Sequence, residues 1–146
     1  MQVSIRKIID GLGGDQLIKR AIRHDFDLME IVKEGIPMES AAFLQSNFGF
    51  TNKQMSHILA ISESTYQRRI RAKTRLTPDE TEKAISLSEL YAKGVDVFRN
   101  QPDFETWLQT KIPAMNNQRP TDMLYSMIGR QYVMDELNRI LHGVFS

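Results

Sequence analysis

The stretch that most constrains the fold is TNKQMSHILAISESTYQRRIRAKTRL, residues 51–76. Met55, Ser56, Leu59, Ile61, Tyr66 and Ile70 fall at spacings that set two short helices face to face, with a tight turn between Leu59 and Ser62. Thr51 can cap the first helix through its hydroxyl, and Ser62 can cap the second by accepting from the backbone amide of Ser64 or Thr65. The pattern is a helix-turn-helix. Ala60 stands at the turn where glycine is usual, and an alanine held near the left-handed region costs about 1 kcal/mol. Arg69 falls nearer the inside than the outside, a position that calls for snorkelling or for a carboxylate on a neighbouring helix.

The outward positions of the second helix are Glu63, Ser64, Gln67, Arg68 and Arg71, with Ser62 at its start, and these six are the candidate DNA-binding residues. The same 26 residues hold six Lys and Arg against one acid, a local net charge of about +5. That is the footprint of a surface that displaces counterions from DNA. The competing reading is plain helix packing with a solvated basic face; charge and pattern together favour DNA. The whole chain carries only +1, so an acid excess of about four charges lies elsewhere and the molecule is polarised.

With 146 residues and 41% apolar content, the chain can build one domain or two small ones around a real core. The absence of cysteine excludes disulfides, thiolate metal sites and thiol catalysis. The opening MQVSIRKIIDGLGG has no long apolar region, and no run approaches the ~18 residues of a membrane span. A soluble, cytoplasmic protein is expected. Nothing points to an enzyme: the GLGG of residues 11–14 follows no strand, and Asp135 and Glu136 are adjacent on a helix and do not converge. His24, His57 and His142 are solitary, so neither a metal site nor a cofactor is expected.

The chain divides into a helical lead-in over 1–35, a helix-turn-helix domain over 36–76 and a C-terminal domain over 77–146. In the lead-in, Gly13 and Gly14 break a helix, Asp15 can cap the next, and Phe26, Met29, Ile31 and Val32 form a core or dimer stripe that Gly35 ends. Pro37 can open a helix that turns Ala41, Phe43, Leu44 and Phe48 toward the helix-turn-helix, with Gly49 as its stop. Thr77 as cap, Pro78 at the first helical position and Asp79 and Glu80 at the positive end of the dipole mark a strong start for a long helix that reaches Phe98. Asp103–Leu108 reads as a helix with Trp107 as anchor of the second core, and KIPAMNNQRP as an irregular loop. A final pair follows: Met123, Leu124, Met127 and Ile128 on one helix that Gly129 interrupts, then Tyr132, Val133, Leu137, Ile140 and Leu141 on another that Gly143 ends. No strand signal is present, and the expected class is all-α.

Read in order, VKEGIP, STYQRRI, RLTPDE, a Trp107-Leu108 pair and RPTDMLYSMIGRQYVMDELNRILHG resemble the Xre/MbcA/ParS antitoxin family over nearly the whole chain. Pro120, Leu124, Gly129, Val133, Leu137 and Gly143 carry the spacing of its C-terminal motif. The resemblance implies an antitoxin of a type II toxin–antitoxin pair whose partner is a RES-domain toxin that depletes NAD. In that family the C-terminal domain binds the toxin and its extreme end obstructs the NAD pocket. The helix-turn-helix region binds the operon's own promoter as an autorepressor, and members self-associate, so a homodimer within a larger complex is implied. Carried onto this chain, the toxin-binding candidates are Arg130, Arg139, His142 and Gly143, followed by Val144, Phe145 and Ser146 at the end. The motif often has threonine and an acid before the glycine; here stand Met127 and Ile128. The rival reading is a stand-alone helix-turn-helix regulator whose second domain only dimerises.

Overall fold

The longest helix begins where its residues mark it. The Thr77 hydroxyl accepts from the Glu80 amide at 3.2 Å, the Glu80 carboxylate accepts from the Thr77 amide at 2.9 Å, and Pro78 fills the first helical position. The computed structural model describes residues 3–144, in which this helix is the sixth of eight. They are α1 (Ile5–Gly11), α2 (Asp25–Glu34), α3 (Met38–Phe48), α4 (Asn52–Leu59), α5 (Glu63–Arg71), α6 (Pro78–Phe98), α7 (Gln101–Leu108) and α8 (Met127–Val144). Single 3-10 turns lie at Gly14–Gln16, Pro113–Met115 and Pro120–Met123, and no strand occurs among the described residues.

Helix α6 is the element on which α1, α2, α3, α7 and α8 all pack. It buries Thr81, Ala84, Ile85, Leu87, Ser88, Leu90 and Gly94, a set rich in small side chains that lets neighbours approach closely. Ser88 satisfies its buried hydroxyl by donating to the Ile8 carbonyl at 2.6 Å. At Gly94 the ring of Phe104 lies where a side chain would be; a Cβ there would stand 2.1 Å from the ring. Phe104, fully buried, joins Phe48, Tyr91, Phe98 and Trp107 in one aromatic cluster with ring centroids 5.2–6.2 Å apart.

The helix-turn-helix is fastened to α6 by charge. Arg69 on α5 grips Glu80 through two hydrogen bonds, Nη1 to Oε2 at 3.0 Å and Nη2 to Oε1 at 2.8 Å, with side chains only 17% and 11% exposed. Burial alone would raise the Glu80 pKa, but hydrogen bonds from Arg69 and the Thr77 amide outweigh it and hold the carboxyl below its ordinary value. The segment after α5 pairs with the segment before α3: the Leu76 amide donates to Ile36 at 2.8 Å and the Met38 amide to Thr74 at 2.9 Å. Of the two alternatives for Arg69, snorkelling or a carboxylate on a neighbouring helix, the second holds, and it closes the motif onto the long helix.

Several local expectations are overturned. Asp15 caps nothing; it lies inside the 3-10 turn and pairs with Arg6 at 2.9 Å. As a core stripe on α2, the set holds only in part: Leu28 and Ile31 are buried and Val32 half-buried, whereas Phe26 and Met29 are 77% and 64% exposed, because only one side of this short helix meets α6. Pro37 is the cap residue before α3, outside its first turn, and Phe43 faces outward on that helix. Phe104, one turn before the expected anchor, fills the second core, and Trp107 is only half-buried at its edge. The loop after α7 is ordered by a bridge between Ile112 and Gln118 and by burial of Met115. Gly129 does not separate two helices: it is the third residue of α8, where a Cβ would strike the Met123 carbonyl at 1.8 Å. The missing side chain lets the preceding turn fold over the helix start. Met127, Ile128 and Tyr132 point outward, and α8 runs past Gly143 to Val144.

Phe104→Ala should therefore cost about 3–5 kcal/mol and Trp107→Ala about half of that or less. Gly94→Ala should also destabilise, since overpacking by about 1–3 kcal/mol outweighs the roughly 1 kcal/mol gained from helix propensity. Urea denaturation of the three variants checks the ranking. Because Glu80 has a lowered folded pKa, its stabilising contribution is full above the ordinary carboxylate value and is lost as pH falls through the lowered one. In acid-range thermal melts, Glu80→Gln should start less stable at neutral pH and lose less on acidification than the parent protein.

Candidate functional site

Both helices of the helix-turn-helix are capped by their own side chains. Thr51 Oγ1 accepts from the Gln54 amide at 3.0 Å while Gln54 Oε1 accepts from the Thr51 amide at 3.0 Å, and Ser62 Oγ accepts from the Thr65 amide at 3.1 Å. Between them Ala60 adopts the left-handed conformation at φ 62°, as the turn requires. On the inner side of α5, Tyr66 is fully buried and donates its hydroxyl to Gln45 Oε1 at 2.6 Å, and burial pushes its phenol pKa up. Gln45 in turn donates to Asn52 Oδ1 at 2.8 Å, which ties α3 to the start of α4. The motif is held from inside.

On the outer side, Ser62, Glu63, Ser64, Arg68 and Arg71 are exposed and Gln67 is half-buried. The Ser62 hydroxyl is engaged in its cap and also donates to Thr65 Oγ1 at 2.8 Å. Arg68 and Arg71 take part in no ion pair among the described residues, in contrast to Arg69 between them. Lys53 and Lys73 flank them, also exposed. Among the described residues no ion pair neutralises these cations, and Glu63 is the one acid on the same helix.

At the other end, α8 lies beside α6. Arg130 is half-buried there and donates to Ser86 Oγ at 3.2 Å and to the Leu124 carbonyl at 3.0 Å; burial lowers its pKa. It is turned toward its own fold. Arg139 is 67% exposed on its side chain and is aligned by Glu136, which accepts from its Nε at 3.0 Å. His142 and Gly143 are exposed near the helix end, α8 includes Val144, and Phe145 and Ser146 lie outside the described residues. Arg139 borders a groove of about 450 Å³ between the Pro113–Met115 turn and α8, lined also by Met115, Met123, Tyr132, Asp135 and Glu136.

Sequence reasoning set Asp135 and Glu136 aside, yet both border this groove. The groove exists because the 113–118 loop folds back on α8, a tertiary event without a helical period; the three-residue spacing of Glu136 and Arg139 was the one legible sign. The two regions also touch. The Lys83 ammonium donates to the Ile58 carbonyl near the end of α4 at 2.7 Å, and burial lowers its pKa. His57 and Tyr125 lie 5.2 Å apart ring to ring, and Gln54 donates to Gln109 at 3.3 Å.

The chain matches two family models in sequence: the antitoxin Xre-like helix-turn-helix domain over residues 27–88 and the antitoxin Xre/MbcA/ParS C-terminal toxin-binding domain over residues 93–143. The first contains the basic face of α5, the second the groove beside α8. Similar proteins include an "Antitoxin Xre" of Photorhabdus laumondii, 28% identical over 120 residues that make up 82% of this chain and 81% of that protein. Another "Antitoxin Xre", from Yersinia enterocolitica, is 24% identical over the same shares. With a helix-turn-helix presenting a cationic helix, a toxin-binding domain after it and both models in the family's order, the chain belongs to the Xre-type antitoxins.

Proposed function

We propose that this antitoxin neutralises a RES-domain toxin that depletes NAD, doing so with α8 and the end that follows it, and that it represses its own operon through α5. The observation that carries the reading is the separation of two differently built surfaces on one chain. One is an uncompensated cationic helix face with Arg68 and Arg71; the other is a groove beside α8 bordered by Arg139 and Tyr132. The first suits a phosphate backbone and the second suits a protein surface. Residues 36–76 serve DNA and 77–146 serve the toxin, with 1–35 as support. Within the C-terminal set, Arg139, His142 and Gly143 are exposed and suited to contact, while Arg130 positions α8. The antitoxin acts by binding and not by catalysis, as a homodimer inside a larger toxin–antitoxin assembly in the cytoplasm.

Replacing Arg68 and Arg71 together by Ala should weaken promoter binding and flatten the log–log salt dependence by up to about two units, leaving the melting temperature nearly unchanged. Gel shifts across a salt series check this; binding that stays at the parent level would move the DNA surface elsewhere.

Ending the chain after His142 should leave helix content and promoter binding intact, since α5 lies more than sixty residues upstream. Protection from a co-expressed RES-domain toxin should nonetheless be lost, because obstruction of a pocket needs the atoms that fill it. Co-expression with growth and cellular NAD as readouts decides it. Full rescue by the shortened chain would sink the obstruction mechanism, and failure of the full chain to rescue would favour a stand-alone regulator.

A further inference from the structure

Away from the groove that Arg139 borders, a second concave surface runs along the outer stripe of α6. Near the start of that helix Glu82 and Ile85 form its floor, with Asp25, Met29 and Val32 of α2 as wall, enclosing about 330 Å³. One turn further on, Ser86 and Glu89 continue the floor, and Met127, Arg130 and Met134 of α8 form the wall of a further 140 Å³. Glu82 with Ser86, and Ile85 with Glu89, are four residues apart and so adjacent on the helix, which sets the two hollows in line along one stripe of α6 as a channel in two parts.

The channel combines exposed apolar walls with uncompensated acid. Met29 and Met127, one on each wall, are 64% and 76% exposed, far more than core-facing side chains would be. Both are methionines, which adapt to an incoming surface. Asp25, Glu82 and Glu89 take part in no ion pair among the described residues, and the single cation in the channel, Arg130, is spent on Ser86 and Leu124. Helices α2 and α6 together hold nine acids against three lysines.

We infer that this channel between α2, α6 and α8 docks a cationic, apolar-flanked segment of the toxin. Two features choose that occupant. A second copy related by a two-fold axis would set the same carboxylates against one another, which opposes closure; DNA is excluded by the same charge. The α8 wall lies within residues 93–143, the stretch matching the toxin-binding domain, so the channel continues a surface of that kind onto α2 and α6. This rests on the antitoxin reading and extends it: the toxin contact includes elements N-terminal to the domain matched as toxin-binding.

The test uses the full-length protein and a purified RES-domain toxin from the same genome, with affinity read by calorimetry at two salt concentrations. Glu82→Lys with Glu89→Lys, and separately Met29→Ser with Met127→Ser, change exposed or half-exposed side chains and should leave melting and promoter binding unchanged. Each pair should weaken toxin affinity by about tenfold or more, and the charge-reversed pair should also lose most of the salt sensitivity. Toxin affinity equal to the parent's in both variants overturns the channel as a toxin site, as does loss of self-association with toxin binding retained, which would give the channel to a second copy. If the parent protein itself fails to bind the toxin, the RES-toxin reading falls and the channel assignment with it.

Discussion

Everything in the molecule depends on α6 being able to accept neighbours on most of its faces at once. A helix of 21 residues with bulky side chains all round would hold its partners at ordinary interhelical distance and could not seat five of them in so small a chain. Ala84, Ser88 and Gly94 solve this by removing volume at the contacts, so that α1 approaches over Ser88 and α7 inserts Phe104 over Gly94. The aromatic cluster around Phe104 is therefore a consequence of a glycine on the opposite helix. The half-buried Trp107 is the larger ring, yet it is the outer member of that cluster.

The helix-turn-helix has little apolar surface of its own on α5, where Tyr66 is the single buried residue. Its orientation is fixed instead by directional polar contacts: the Arg69–Glu80 pair, the Tyr66–Gln45 hydrogen bond and the ammonium of Lys83 on the Ile58 carbonyl. Such contacts fix geometry more than they add stability, because desolvation offsets much of the Coulombic gain of a buried pair. For a helix that must meet a partner in one orientation, geometry is what matters. Glu80 also belongs to the capping box of α6, so the residue that starts the long helix is the one that positions α5.

What could be read from the residues in advance was local. Caps at Thr51, Ser62 and Thr77, the left-handed Ala60 and the need of Arg69 for a carboxylate each follow from a few neighbouring positions, and each stands in the structure. What misled were features whose meaning is tertiary. Gly129 looks like a helix stop in isolation, but the carbonyl of Met123 folded against it shows that the glycine serves a close approach. Phe26 and Met29 have the period of a core stripe and are exposed, since period alone does not say whether a helix has a neighbour on that side. The groove bordered by Arg139 needed the 113–118 loop to close first, and no period announces a loop. Five of the six positions expected to face out at the second helix do so, because a capped helix with Tyr66 inward largely decides which side meets solvent; Gln67, beside Tyr66, is half-buried.

A net charge of +1 conceals a separation that the fold must maintain. The cationic face of α5 and the carboxylates of α2 and α6 would neutralise each other if the chain were flexible, and neither would then attract a partner. Arg69 and Glu80 are the one place where the two fields meet directly, and there the charges are consumed in a bidentate pair with both side chains mostly buried. Arg68 and Arg71, one position before and two positions after Arg69, are left facing solvent, and Glu82, two positions after Glu80, is likewise exposed. At physiological ionic strength such fields reach only about 8 Å, so two exposed faces further apart than that act independently on what approaches them. The rigid seam between α5 and α6 thus lets one small chain present a cationic helix face and an acidic apolar surface at the same time.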